Sequence, residues 1–453
     1  MTELPSADLP AGCTDAVVDR GRSVSYALLP GHMAELARHC VLDWLGVTIA
    51  GSASEAAVLV RAEAEREGGR PVATLIGTES RATASQAALV NGTSSHALDY
   101  DDMSLPLMGH PSVPVLPALM AAAEEVDASG DQVIAAFVAG YESECLVGRL
   151  LNPEHYARGF HATATLGTFG AAAACAHLLR LDATQWASAL GIAGTQAAGL
   201  KSMFGTMAKP LHAGLAARNG YLAARLARSG FTAETAVLDS PQGFADTHGG
   251  EAHHTAFRAG LDDFDLAGVM FKTHAACAFT HSSIEGLLRI REETSVRPEQ
   301  IANIVVRVPS GHLRAAGIER PATPLEAKFS LTMTSAMALA TGDLSERAFT
   351  GSALADPVLT ALRDKVEAIG EDTRADASHV EVVTIDGRVF EAEVAASKPR
   401  PVSDLDTQWS RLRAKFTGLA APVLGVRAAD DLADAVRETG PSTSIRDLTA
   451  LAV

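Results

Sequence analysis

The run His96-Ala97-Leu98-Asp99-Tyr100-Asp101-Asp102, continued by Gly109-His110-Pro111-Ser112, puts three carboxylates and two histidines within fifteen positions. Groups of these types can move protons at neutral pH, since imidazole titrates there and a nearby carboxylate can orient it. A predicted helix ends just before them, where added negative charge opposes the helix dipole, so the pattern serves structure poorly. His110 precedes a proline, which favours an extended backbone and fixes the direction of the imidazole. Two other readings fit: a solvated acidic connector, or a divalent-metal site of Asp99, Asp101, Asp102 and His110. Further ligands at recognisable spacing are missing for the second.

Three more segments carry candidate groups. The chain has seven lysines, none before Lys201, and two of them, Lys209 and Lys272, lie in histidine-bearing stretches. In Gly205 to Gly214, Pro210 suits the first position of a helix, with Lys209 as its N-cap and His212 in its first turn. A lysine beside the free amides of a helix start makes a carboxylate receptor. In Lys272 to His281, Cys277 follows the lysine and His281 is expected to start a helix toward Leu288. Gly159-Phe160-His161 precedes an alanine-rich helix whose N-terminal field depresses the pKa of His161, leaving a neutral imidazole as base or donor. Taken singly, each segment also fits an exposed lysine or a packed histidine.

Composition narrows the setting. Arginine and lysine number 37 against 54 acidic residues, a net charge of −17, which argues against nucleic acid or an anionic membrane as partner. Apolar residues make up 47% and aromatics 5% of 453 residues, so the core must be rich in small side chains, a composition that suits closely packed helices. The five cysteines form no CxxC pair and suggest a reducing compartment, and with no signal-like N-terminus the expected location is cytoplasmic. GxGxxG after a strand, GxxxxGK[ST] and GxSxG are missing, which weakens nucleotide binding and serine hydrolysis.

The elements that must position these groups change character along the chain. Apolar residues at three-to-four spacing predict helices over His32–Ala50, Glu55–Glu67, Ser85–Leu98, Val115–Glu125, Gln132–Leu150, Thr163–Arg180, Ala183–Ala198 and Pro210–Arg228. After Leu266 the pattern predicts a strand over 304–308, a hairpin of 380–385 and 389–394 with a type I′ turn at Asp386-Gly387, and helices over 324–341 and 357–369. The expected architecture is a large all-α domain (1–268, completed by 402–453) plus a smaller α+β lid domain (269–401), with a ligand cleft between them.

In this order, Asp43-Trp44-Leu45-Gly46-Val47, the His96 to Asp102 run, Gly109-His110-Pro111-Ser112, Gly159-Phe160-His161, Lys209-Pro210-Leu211-His212 and Ala327-Lys328-Phe329-Ser330-Leu331 resemble the MmgE/PrpD family. That family includes 2-methylcitrate dehydratase, cis-aconitate decarboxylase and iminodisuccinate epimerase. The resemblance covers nearly the whole chain and implies a helical domain with a lid, usually in a homodimer, working without metal or organic cofactor. It places the catalytic set on Asp99, His110, His161, Lys209 and Lys272. Three positions depart from the family pattern: Met103 replaces a threonine, Cys277 a histidine and Met333 a tyrosine. The Asp99 to His110 spacing, the Pro-Leu-Met-Gly-His approach, Cys277 and the missing tyrosine look most like the epimerase branch. Met103 and Met333 imply a more apolar pocket, and the expected substrate contacts are Met103, His212, Cys277, His281 and Met333.

The expectation is cofactor-independent proton abstraction beside the carboxylate of a small acid, giving epimerisation, isomerisation or elimination. Lys209 and Lys272 would hold the carboxylate, His110 would act as base oriented by Asp99, and His161 would carry the second proton. A 2-methylcitrate-dehydratase-like hydro-lyase, a metal-dependent hydrolase and a non-catalytic ligand-binding homologue are the alternatives.

Overall fold

The computed structural model describes residues 12–249, 252–372, 377–395 and 404–453. The N-terminus up to residue 11 and the expected boundary at 402 lie outside them. Local signals start several helices. Thr83 and Gln86 bond each other's backbone amides at the head of Ala84–His96, and Asp182 and Gln185 do the same for Ala183–Gly194. A first helix, Cys13–Ser23, precedes those expected. The helix foreseen over 163–180 is two, Ala162–Thr165 and Gly167–Leu178, with Leu166 between them still in helical conformation.

Small residues set how closely the helices approach. A Cβ on Gly92 would lie 2.7 Å from Gly214 Cα, and one on Gly214 would lie 2.3 Å from Leu89 O. Ala84–His96 and Ala208–Arg228 are therefore in backbone contact, and they run so that His96 and Lys209 emerge at the same end. Gly214→Ala forces these helices apart. It is expected to cost about 1–3 kcal/mol and to draw Lys209 off its partners, to be read as a lowered unfolding midpoint together with lost turnover.

Between residues 278 and 395 helices pack on a four-stranded sheet in the order Val366–Glu371, Ile301–Pro309, Ala377–Thr384, Val389–Ala395. The first pair is parallel, with Ile304 opposite Val366, and the others are antiparallel. The expected helix over 357–369 is thus corrected: it stops at Arg363. Val366–Glu371 is too short to carry a period of its own, and the open edge of Ile301–Pro309 takes it up as a strand. The hairpin turn also differs. Gly387 alone has positive φ there, 87°, and Thr384 N bonds Arg388 O, so the loop is Ile385-Asp386-Gly387 with a left-handed glycine, not a type I′ pair. The helix expected over 324–341 breaks into Pro324–Ala327 and Leu331–Ala340. The break frees Lys328 and Phe329 to reach the site.

Two apolar cores result. One joins Trp44, Phe137, Phe169 and Trp186 to Trp409 and Phe416 from helix Leu405–Leu424. The other joins Ile284, Val306, Phe329, Met337 and Val380, and it also takes in Leu98 and Tyr100 from the helical part. The two neighbours of Asp99 in sequence are thereby anchored in the α+β core. All five cysteines are free and buried. Among the described residues no single helix is long and apolar enough to cross a membrane; Gly31–Gly51 and Glu55–Glu67 pass only as a pair bent by 83°.

Glu144 is fully buried in helix Gly130–Leu151, and neither carboxyl oxygen has a hydrogen-bond partner. Gly170 leaves room for it, since a Cβ there would lie 2.6 Å from Oε2. Burial, then the charge of Asp102, pushes Glu144 well above the usual carboxylate range. The folded state thus keeps a proton that the unfolded chain releases above its ordinary pKa of 4.5. Wild type loses the associated stability as pH rises, by about 1.4 kcal/mol per unit until the folded group ionises. Glu144→Gln removes that dependence, so its stability in urea relative to wild type is expected to increase from pH 5 to 8. A difference that is constant with pH would contradict this.

Candidate active site

Helix Ala84–His96 ends in a turn where Asp99 adopts left-handed backbone, φ 52°, a conformation aspartate tolerates better than most residues. The turn presents successive carbonyls, and lysines take them: Lys328 Nζ donates to Leu98 O at 2.7 Å, Lys272 Nζ to Asp99 O at 2.7 Å and Lys415 Nζ to Tyr100 O at 2.5 Å. Cations at a helix C-terminus satisfy its free carbonyls and its dipole. They answer the charge problem that the acidic run poses in the sequence. Lys415 is itself held 2.7 Å from Asp43, and Lys328 pairs with Glu346.

Lys209 lies in the first turn of its helix. Met207 is the N-cap, because the helical conformation begins before Pro210, and this corrects the N-cap position expected for the lysine. Lys209 Nζ donates to Asp99 Oδ1 at 2.6 Å and stands 2.8 Å from His96 Nε2, while Lys272 Nζ is 3.2 Å from Asp99 Oδ2. Burial pushes the Asp99 carboxyl up, but Lys209 and then Lys272 outweigh it and hold the group well below the usual carboxylate range. Asp101 Oδ2 lies 2.9 Å from both His96 Nδ1 and His110 Nδ1. His110 Nε2 is 3.8 Å from Asp99 Oδ1, so the nearer orienting carboxylate is Asp101 where the sequence pointed to Asp99. The His96 ring stacks on His161 at 5.6 Å and meets His110 edge-on at 4.8 Å.

The imidazoles share one electrostatic character. Burial lowers His96 to about 4 despite Asp101 beside it, and lowers His110 below its ordinary value. Burial and then Lys209 lower His161 well below it. All three are neutral at physiological pH. With Asp99 and Asp101 set against Lys209 and Lys272, the cluster is close to charge balance.

Asp99, His110, His161, Lys209, Lys272, Met103 and Cys277 line one chamber of about 100 Å³, together with Phe204 and Phe329. His281 lines an adjoining cavity, with Nε2 3.1 Å from Ala276 O, inside a helix that starts at Ala278. His212 stands behind His161, their Nδ1 atoms 3.2 Å apart. Met333 is buried in the second core, its amide bonded to Ser330 Oγ at 3.1 Å, away from either chamber. The sequence reading gave no site role to Lys415 or Phe204, carried His96, Lys328 and Phe329 only as parts of motifs, and offered Asp101 only as a metal ligand. Lysine scarcity was a usable signal for Lys328 and Lys415, as it was for Lys209 and Lys272.

Asp102 turns away from the chamber: its carboxylate accepts from Ser112 Oγ at 2.5 Å, and burial, with Asp43, raises it to about 7. The expected metal set with Asp102 is therefore not assembled. His96, Asp99, Asp101 and His110 instead bring ligand-type atoms within 4.8 Å of one another. The ammonium groups on Asp99 already place positive charge in that space, which disfavours a further cation there.

A helical domain is thus joined to an α+β unit, with lysines and neutral histidines converging on one aspartate. The chain matches the MmgE/PrpD N-terminal domain over residues 22–255 and the MmgE/PrpD C-terminal domain over residues 274–439, and it belongs to the MmgE/PrpD family. It is 28% identical to human cis-aconitate decarboxylase over 365 residues, 76% of this chain and 74% of that one. It is 27% identical to the cis-aconitate decarboxylase-like protein oryM of Aspergillus oryzae over 458 residues, 93% of each, and 30% identical to cis-aconitate decarboxylase of Aspergillus terreus over 304 residues, 62% and 61%. These relatives carry the decarboxylase name, where the motif spacing favoured the epimerase branch.

Proposed function

We propose that this protein is an enzyme that transfers a proton at a carbon beside a substrate carboxylate, without a cofactor taking part in the chemistry. The observation that carries the reading is the convergence of Lys209 and Lys272 on Asp99 at 2.6 and 3.2 Å, in a small chamber that also holds two neutral histidines. A substrate carboxylate draws on the remaining donors of both ammonium groups, which then face the negative charge that grows on it as the neighbouring carbon loses a proton. His110, neutral and backed by Asp101, takes that proton. Its new positive charge balances the enediolate. His161, which also lines the chamber, returns a proton to carbon or to a leaving group.

The fate of the deprotonated acid sets the net reaction: return of a proton gives epimerisation or isomerisation, and loss of a β-substituent gives elimination. The names of the relatives support a second reading, decarboxylation, in which CO2 departs and a histidine protonates the carbanion left behind. Met103 and Cys277 in the chamber wall favour the first, since they supply less hydrogen bonding to a polyanionic substrate. Screening small di- and tricarboxylates in D2O, with NMR for deuterium on carbon and an assay for CO2, tests both. Deuterium beside a carboxylate without CO2 is expected. Deuterium with CO2 selects decarboxylation, and conversion of an acid with neither carbon-bound deuterium nor a primary isotope effect from deuterium placed beside its carboxylate contradicts the proposal.

A further inference from the structure

The small chamber shares Met103, Met108, Tyr156, Lys272 and Phe279 as a common wall with a larger cavity of about 460 Å³. At roughly 30 Å³ per water-sized group, the small chamber takes a carboxylate and its adjacent carbons, and the rest of a longer molecule must extend into the larger one. That cavity is walled by methionine, phenylalanine and proline. Its ionisable lining groups are Tyr156, Lys201, Lys272, His281, His312 and Arg314, with no aspartate or glutamate, although the chain carries a net charge of −17.

Lys201 and Arg314 have no carboxylate at ion-pair distance among the described residues. Lys201 Nζ donates to Tyr156 O at 2.9 Å and rests 3.4 Å over the Tyr156 ring, with donors to spare. Burial and the positive charge of Arg314 push Lys201 down to about 8. Two cations are thus set near one another without a counter-ion, at the edge of an apolar cavity that leads to the reacting groups.

We propose that the substrate carries anionic groups at two ends: a carboxylate at Lys209 and Lys272, an apolar spacer along Met103, Met108, Met270 and Phe279, and a distal anion at Lys201 and Arg314. This rests on the proposed carboxylate site and deepens it to a substrate class. It also gives the methionines a role, since flexible apolar side chains adapt to a hydrocarbon spacer.

The test is calorimetric titration of the full chain with straight-chain α,ω-dicarboxylates from succinate to sebacate, against monocarboxylates of equal length. Diacid affinity is expected to peak at an intermediate length and to exceed that of the matched monoacid by about tenfold or more. ω-Phosphonates of the best length distinguish a carboxylate from a phosphate-like distal group. In Lys201→Met/Arg314→Gln the diacid advantage is expected to vanish, in Arg314→Glu to pass to ω-amino acids, and in Arg427→Gln, at a side chain 96% exposed, to persist. Equal affinity for diacid and monoacid in wild type, or an advantage that survives the double variant, overturns the proposal. Binding needs no turnover, so the two readings fail separately. Diacid preference with neither carbon-bound deuterium nor a primary isotope effect on any converted acid removes only the proton-transfer reading, exchange on short acids without length preference removes only this one, and binding of neither class of acid removes both.

Discussion

Lys209→Met is expected to lower turnover by about 10²–10³-fold, the usual loss when one preorganised donor to a developing anion is removed. It also strips Asp99 of its 2.6 Å partner and leaves a buried carboxylate on Lys272 alone. Breaking a buried pair on one side costs about 3–5 kcal/mol, so the variant should unfold at lower temperature as well. The two losses separate in Lys209→Met/Asp99→Asn, where the uncompensated charge is gone. Thermal stability should return most of the way in the double variant, and turnover should not. Recovery of both would make Lys209 a partner of Asp99 only, with no part in binding substrate.

His110→Asn is expected to reduce kcat/KM by about 10²–10⁴-fold, the range for loss of a general base, while leaving carboxylate affinity nearly intact. The pH profile carries the same assignment. Burial depresses His110 below its ordinary 6.5, so the base is already deprotonated at neutral pH. Activity is retained above that value and falls as pH drops through the depressed pKa. Wild-type kcat/KM should therefore stay level from pH 8 to 6.5 and decline only below it, and the residual activity of His110→Asn should lack that acid limb. Asp101→Asn, which alters the carboxylate 2.9 Å from both His96 and His110, should shift the limb further down. A limb unmoved by either substitution assigns it to another group.

Much of this arrangement was legible because the chemistry is concentrated in short motifs. Asp99, His110, His161, Lys209 and Lys272 stand in four segments scattered through the chain, and all of them reach one chamber. The long helices followed from their apolar spacing. What the sequence hid were relations set by distant partners. Val366–Glu371 became a strand because a neighbouring edge needed pairing. Asp101 and not Asp99 lies nearest His110 because the turn at Asp99 swings its carboxylate toward the lysines. Asp102, alike in type to its neighbours, points at Ser112. Met333 fits a substrate contact by motif but fills the core, since the helix break at Lys328-Phe329-Ser330 sends Phe329 to the chamber in its place.

The lysine pattern is the clearest case of a local reading that needed the fold to explain it. A chain this poor in lysine places Lys272, Lys328 and Lys415 on the consecutive carbonyls of Asp99, Leu98 and Tyr100, and Lys209 on the carboxylate between them. A long, flexible ammonium can reach a buried carbonyl from another element where the wider guanidinium fork cannot enter as readily. Three of these lysines fix the turn, and Lys209 and Lys272 face the chamber.

The central claim is that His110 moves a proton at carbon, and the most direct measurement is rapid-quench single turnover in D2O with an acid whose conversion leaves a hydrogen on that carbon. Mass spectrometry of the carbon beside the carboxylate should show deuterium appearing within the first turnover for wild type and no such phase for His110→Asn at saturating acid. Deuterium appearing at the same rate in both would contradict the account.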